Sequence, residues 1–173
     1  MTSLFGSVAK VGAGYDLEFE RVLATDVDDL WSAITDADRL ARWMNVYTGE
    51  LRLGGTWQAL LDDGSVYCTG TVTECDPPRS FVTTWHAIEE QPTTLRISVE
   101  PAADGARLLL RHEGAQSIYY GPGWQSYLEQ LDEHLGAAPS SEVDPSRTAG
   151  IAWDARYTEL RGVWEKRFGS LRS

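Results

Sequence analysis

The hydrophobic pattern at the start of the chain changes its period from two residues to between three and four. Residues 15–24 alternate apolar and polar side chains, which predicts a strand. Residues 27–34 then carry apolar side chains at the spacing of an amphipathic helix. We predict the N-cap of this helix at Thr25, with Asp28 in the reciprocal position of a capping box. Asp36 is the predicted cap of a second, shorter helix, so the chain opens as strand, helix, helix.

The middle of the chain predicts an antiparallel meander of six strands, with one buried face and one solvated face. An Asp-Gly pair at residues 63–64 is typical of a hairpin turn between two of these strands. Cys68 and Cys75 lie seven residues apart in one predicted strand, so strict alternation places them on opposite faces and predicts two free thiols. The same alternation points Glu74 inward.

Two helices close the pattern. A long helix is predicted after the Gly-Pro-Gly sequence at residues 121–123, and it ends at Gly136. Residues 139–147 contain two prolines and small polar side chains, which predicts a loop. Residues 148–169 are predicted to form a further helix that packs on the domain. Its apolar stripe consists of Trp153, Tyr157, Leu160, Trp164 and Phe168.

The acidic composition excludes several kinds of partner. The chain has 173 residues, with 26 Asp and Glu against 15 Lys and Arg, for a formal net charge of −11. Its length fits a single domain that buries about 70% of the surface of its unfolded form. Duplex nucleic acid and anionic membranes both need basic surfaces, so we expect neither as a partner. The sequence shows neither the ~20 apolar residues of a membrane span nor a secretory signal, which favours a cytoplasmic protein.

Several separated segments resemble one known superfamily. Residues 21–43 resemble the opening of the SRPBCC, or START-like, superfamily, which includes polyketide cyclase-like proteins. The resemblance is closest to its branch of homologues of the activator of the heat-shock chaperone ATPase. Further similar segments follow in the same order, at residues 54–57, 70–81, 84–85, 110–114 and 123–124.

This resemblance covers about residues 15–136 and implies an α+β helix-grip fold. In that fold a curved antiparallel sheet wraps around the long C-terminal helix. Residues 148–169 then add an extra C-terminal helix to a single START-like domain that spans residues 1–173. Members of the superfamily include pocket binders of lipids and hormones, aromatic cyclases and chaperone-associated proteins. The resemblance is therefore more specific for the fold than for the function.

The implied fold leaves a cavity between the sheet and the long helix, and aromatic side chains are typical walls of such pockets. The predicted ligand-binding residues are Trp43, Trp57, Trp85, Leu110, His112, Trp124 and Tyr127. Core packing is the alternative role for each single tryptophan. A lone histidine on an apolar strand face, such as His112, is more often a hydrogen-bonded core residue than a catalyst.

Our leading hypothesis is a protein that binds a hydrophobic or aromatic small molecule in this cavity, without a cofactor. One alternative is an enzyme of the cyclase or hydrolase type that uses His112, Glu74 or a tyrosine. Another is a stress-response interaction protein, with a chaperone or a second copy as partner and a cavity filled by side chains. The three histidines are isolated and no CxxC or HExxH motif occurs, so we expect no dedicated metal site.

Overall fold

A computed structural model describes residues 6–136 and 149–172 of the protein. Its eight strands form one antiparallel sheet in the order β1-β2-β8-β7-β6-β5-β4-β3. The strands are β1 (Gly6–Val11), β2 (Gly14–Leu23), β3 (Val46–Gly49), β4 (Thr56–Leu60), β5 (Val66–Asp76), β6 (Ser80–Ala87), β7 (Thr93–Ala102) and β8 (Gly105–Ala115). Strands β3 to β8 are the predicted six-strand meander, which is confirmed. β1 was not predicted, and it pairs with β2 at the edge of the sheet.

Four helices complete the α+β architecture that the sequence predicts. They are α1 (Val27–Thr35), α2 (Ala37–Trp43), α3 (Tyr120–Gly136) and α4 (Ala149–Phe168), and a 3-10 turn at Gly169–Arg172 follows α4. Helix α3 is the long helix that the curved sheet wraps around, and α4 is the extra C-terminal helix. Buried side chains from the sheet and all four helices belong to one core cluster. The loop predicted for residues 139–147 lies outside the described residues.

The N-cap of α1 is one residue later than predicted. Asp26 caps the helix, because its Oδ1 accepts a hydrogen bond of 2.8 Å from the backbone N–H of Asp29. The hydroxyl of Thr25 instead donates to the Asp29 carboxylate at 2.6 Å. The prediction of Thr25 with Asp28 was therefore wrong, since two neighbouring residues could both cap and the sequence pattern did not separate them.

A β-bulge in β5 overturns the alternation predicted for its last residues. Val72 pairs with Thr83 of β6, but Glu74 pairs with Val82, so β5 contains one extra residue at this point. A bulge of this kind shifts every later side chain to the other face of the sheet. Glu74 is consequently exposed on the outer face, and Cys75 faces the interior, as Cys68 does. The predicted inward position of Glu74 and the predicted opposite faces of the two thiols are both wrong.

Helix α3 begins at Tyr120, before the Gly-Pro-Gly sequence that was predicted to precede it. Pro122 is accommodated because a proline in the first turn of a helix lacks only an N–H that has no intrahelical partner. Gly121 is required for a different reason. A Cβ atom at this position would lie 2.4 Å from a ring carbon of Trp164, so only glycine lets α4 approach so closely.

Helix α4 packs along α3 through the predicted apolar stripe. Leu160 and Trp164 are completely buried. The Trp164 indole N–H donates to Gln125 Oε1 at 2.9 Å, and the Arg156 guanidinium donates to both carboxylate oxygens of Glu129 at 2.6 and 2.8 Å. No helix within the described ranges is long and apolar enough to cross a membrane.

Candidate functional site

An apolar cavity of about 70 Å³ lies inside the curve of the sheet, and we call it the inner cavity. Strands β4 to β8 supply one side, helix α3 the opposite side, and α1 and α2 with the start of β3 the rest. Five of the seven predicted site residues line it, namely Trp43, Trp57, Trp85, Leu110 and Trp124. These five residues belong to β4, β6, β8, α2 and α3, on opposite sides of the space.

The sequence prediction missed five other residues that line the inner cavity between α1 and β4. Ile34 lines it from α1, Leu40 from α2 and Met44 from the C-cap of α2. Tyr47 and Leu51 line it from β3 and the segment that follows. The apolar stripes of the two short helices carried a signal for the first three, because such stripes must face the interior. Nothing in the alternation pattern indicated the other two.

Trp57 is placed by a glycine on the neighbouring strand. Trp57 pairs directly with Gly70, and a Cβ atom on Gly70 would lie 2.3 Å from the indole ring. The ring therefore lies flat over a gap in the side-chain layer. Its N–H donates to the Thr83 hydroxyl at 2.8 Å, which leaves its carbon atoms to face the inner cavity.

Trp43 presents only carbon to the inner cavity for a similar reason. Its indole N–H donates to the backbone carbonyl of Ala33 in α1 at 2.9 Å. The hydroxyl of Tyr47 donates to the Met44 sulfur at 3.4 Å. The N–H of Trp43 and the hydroxyl of Tyr47 are thus bonded to the protein itself, as buried polar groups require.

His112 lies behind this wall, fully buried, with both ring nitrogens hydrogen-bonded. The Trp124 N–H donates to Nδ1 at 3.1 Å, so the neutral ring carries its proton on Nε2 and donates it to the Thr93 hydroxyl at 2.7 Å. The Thr93 hydroxyl in turn donates to the backbone carbonyl of Trp85 at 3.1 Å. Burial lowers the pKa of His112 to about 4, which keeps the ring neutral at pH 7.

A second depression, which we call the outer cleft, lies on the far side of Trp85 and Trp124 and has a volume of about 230 Å³. Both indoles line the two spaces and therefore form the wall between them. Other residues that line the outer cleft are Glu90, Ser117, Tyr119, Tyr120, Gly123, Tyr127, Trp153 and Tyr157. Tyr127 was predicted for the inner cavity, but the structure places it here.

The polar groups of the outer cleft are incompletely bonded. Tyr120 donates its hydroxyl proton to Glu90 Oε2. The buried indole N–H of Trp85 has no hydrogen-bond partner of acceptable geometry among the described residues. It lowers the pKa of the Tyr120 phenol, against the larger effects of burial and of the hydrogen bond to Glu90, which raise this pKa. The outer cleft thus contains a carboxylate that is bonded to the protein through one oxygen.

The titratable groups near the inner cavity are held in their neutral forms. Burial raises the pKa of the Tyr47 phenol and of the Cys75 thiol, the two titratable groups that line it among the described residues. Burial also raises the pKa of the Cys68 thiol to about 12, so neither cysteine provides a thiolate at pH 7. In the described ranges no three His, Cys, Asp or Glu side chains are grouped to hold a metal ion.

Comparison with known proteins places this geometry in a family. The sequence pattern of the family described as activator of Hsp90 ATPase homolog 1-like protein matches residues 24–136, about two thirds of the chain. The protein belongs to this family. It lies within the SRPBCC superfamily, so the resemblance that the sequence segments indicated is confirmed. A search of curated protein sequences finds no match.

Solved structures share the fold at low sequence identity. The solution structure of CalU16 from Micromonospora echinospora is 22% identical with a TM-score of 0.67, over 97% of this chain and 94% of that chain. DynU16, from the dynemicin biosynthetic locus, is 17% identical with a TM-score of 0.64, over 69% of this chain and 46% of that chain. The Aha1 dimer from Colwellia psychrerythraea is 16% identical with a TM-score of 0.61, over 72% of this chain and 98% of that chain. These likenesses confirm the START-like fold.

Proposed function

We propose that the protein binds a small, neutral, hydrophobic molecule in the inner cavity. The observation that carries this proposal is the bonding state of the wall. The N–H groups of Trp43, Trp57 and Trp124 are all bonded within the protein, so these indoles offer the inner cavity only carbon. No charged side chain lines the inner cavity in the part of the chain that is described. An apolar guest therefore displaces few bonded waters and leaves the N–H groups of these three indoles paired.

The volume limits the size of the ligand. Pockets for drug-sized ligands measure about 300–1,000 Å³, whereas an engineered cavity of about 150 Å³ binds benzene. At about 70 Å³ the inner cavity fits such a ring only if a lining side chain moves. Met44 is suited to this because its unbranched chain adapts easily. The ligand we expect has about eight heavy atoms, smaller than the roughly 25 that a START-like pocket suggested.

Such a ligand binds weakly. At an intermediate efficiency of about 0.7 kcal/mol per heavy atom, about eight atoms give ~5.6 kcal/mol, or a Kd near 100 μM. DynU16 comes from a biosynthetic locus, which agrees with a role in handling small molecules. The enzyme alternative is less well supported, because Glu74 faces outward and both nitrogens of His112 are already bonded.

The proposal is tested by calorimetric titration with toluene against two variants of β8. Leu110 lines the inner cavity, whereas Leu109 faces the outer side of the same strand. We expect Leu110→Trp to fill the cavity and abolish binding, and Leu109→Trp, the same change on the other face, to leave the Kd within twofold. Overpacking costs about 1–3 kcal/mol, so Leu110→Phe serves as the milder filling variant.

The contradicting results are equally clear. Equal binding by the Leu109 and Leu110 variants would place the ligand elsewhere. Failure of toluene, indole and short alkanols to bind the wild-type protein would favour the interaction-protein alternative. Since the solved Aha1 relative is a dimer, the titration is accompanied by a sedimentation measurement of the oligomeric state with and without ligand.

A further inference from the structure

The outer cleft has the composition of a site for an organic cation, and we propose that it binds one, such as a quaternary or protonated aryl amine. This site goes beyond the proposed inner-cavity function. The two spaces share a wall but differ in charge and chemistry. The ligand of the outer cleft is held by aromatic faces together with the Glu90 carboxylate. The inner cavity has aromatic walls but no carboxylate among the described residues.

The aromatic part of the site is a continuous series of rings. Trp85 and Trp124 have centroids 5.2 Å apart, Trp124 and Tyr127 6.3 Å, Tyr127 and Trp153 5.3 Å, and Trp153 and Tyr157 4.8 Å. Each ring thus contacts the next one in the series. Trp and Tyr are the rings whose faces attract ammonium groups most strongly, and grouped rings of this kind recognise quaternary ammonium ligands.

The charged side chain that lines the outer cleft in the described ranges is the carboxylate of Glu90, while Arg161 and Arg172 lie against Tyr119 at one end. Glu90 is half-buried, and its Oε1 makes no hydrogen bond within the described part of the chain, while its Oε2 accepts from Tyr120. Asp154 and Asp62 both act on Tyr127, where they add to the effect of burial that raises its pKa to about 12. No basic residue lines the outer cleft in the described ranges.

At one end of the outer cleft, a cation of the protein already lies over an aromatic ring. The guanidinium of Arg161 lies over the Tyr119 ring, 4.4 Å from its centroid, and it faces Glu165 at 3.8 Å. That ring face is therefore occupied by a cation of the protein itself. The carboxylate left for a ligand cation is that of Glu90, which lines the same cleft and is bonded through Oε2 to Tyr120.

The test compares two ligands of the same shape, phenyltrimethylammonium and tert-butylbenzene, which differ in one unit of charge. We expect the cation to bind the wild-type protein at least tenfold more tightly, measured by calorimetry, and its affinity to fall as salt is added. Glu90→Gln keeps the acceptor for Tyr120 but removes the charge. This variant should bind the cation about tenfold more weakly and bind the neutral ligand with unchanged affinity.

Two controls keep the result specific. Glu89→Gln makes the same change on the adjacent, exposed residue and should leave cation affinity within twofold. Leu110→Trp fills the inner cavity and should also leave cation affinity unchanged. Failure of the inner-cavity proposal is therefore separable from failure of this one.

A second disrupting variant removes part of the aromatic wall. Trp153→Leu, checked for folding by circular dichroism, should weaken cation binding at least fivefold.

Three outcomes would overturn the inference. The first is equal affinity for the cation and its neutral isostere. The second is cation binding that Glu90→Gln does not weaken relative to Glu89→Gln, which would place the site elsewhere. The third is the absence of detectable cation binding at 10 mM phenyltrimethylammonium.

Discussion

The inner cavity and the outer cleft meet at the same two indoles, yet they differ in whether the polar atoms around them are hydrogen-bonded within the protein. On the inner side the polar atoms of Trp57, Trp124 and His112 are bonded to the protein, and the surface left for a ligand is carbon. On the outer side Glu90 retains an unbonded oxygen, and the Trp85 N–H has no partner within the described chain. Two spaces with similar aromatic walls can therefore select different ligands, because the bonding state of the few polar atoms decides what each accepts.

The two regions also differ in what they are built from. The inner cavity is made by the sheet and helices α1 to α3, which are the family core, whereas the outer cleft needs Trp153 and Tyr157 of α4. A change that detaches α4 should remove the outer cleft and leave the inner cavity. This difference leads to the prediction with the largest expected effect.

Trp164→Ala should detach α4 from α3. Trp164 is completely buried, and loss of a buried tryptophan costs about 3–5 kcal/mol. We expect the free energy of unfolding, measured in urea, to fall by about 4 kcal/mol, with cation binding lost and toluene binding kept. Gly162→Ala is the matched control in the same helix, since nothing lies within 4 Å of the added methyl, and it should stabilise by about 0.5–1 kcal/mol. Loss of toluene binding in folded Trp164→Ala would show that the two spaces are not independent.

Acid should weaken the inner wall through His112. Its pKa is about 4 in the folded protein against 6.5 when unfolded, so the unfolded state binds the proton more readily. The stabilisation from the neutral ring is complete above pH 6.5 and is lost as pH falls from 6.5 to about 4. Its upper size is about 3 kcal/mol, from ~1.4 kcal/mol per pKa unit.

The check is the difference in pH dependence between the wild-type protein and His112→Gln. Carboxylates titrate in both proteins and cancel in the difference. The unfolding free energy of the wild-type protein should fall more steeply between pH 6.5 and 4 than that of the variant. Parallel curves would mean that His112 does not stay neutral and buried.

A matched pair of tryptophan variants should give the smallest effect and the closest comparison of the two sides. Trp124→Phe leaves Nδ1 of buried His112 without its donor, which costs about 1–3 kcal/mol beyond the lost ring volume. Trp85→Phe makes the same change in volume but removes a donor that has no partner. We expect Trp124→Phe to be less stable by at least 1 kcal/mol in urea unfolding. Equal losses would show that the Trp85 N–H is bonded after all.

Regular periodicity made most of the fold predictable from the sequence. The meander, the two helices before it and the apolar faces of β4, β6 and β8 follow from alternation and helical spacing. The same patterns put Trp57, Trp85 and Leu110 on the inner face of the sheet, where the structure has them. Trp43 and Trp124 are placed by the family resemblance together with helix stripes. Glu74 and Cys75 were misplaced because a bulge is a single added residue without a composition signal.

The outer cleft could not be predicted from the sequence, for a different reason. Glu90 lies in the turn between β6 and β7, and Tyr157 lies in α4 beyond the family core. They are about 67 positions apart in the chain, and only the packing of α4 on α3 brings them to one place. Periodicity describes neighbours within an element, so a site assembled from a turn and a remote helix leaves no local pattern.

The central claim, that the inner cavity accepts a neutral ring, is tested most directly by nuclear Overhauser contacts between toluene and the methyl groups of the labelled protein. We expect contacts from the ring protons to Met44, Leu110 and Leu128, which line the inner cavity from the C-cap of α2, from β8 and from α3. Addition of phenyltrimethylammonium should leave these contacts in place. Contacts from toluene to the tyrosines of the outer cleft alone, or displacement of toluene by the cation, would contradict the account.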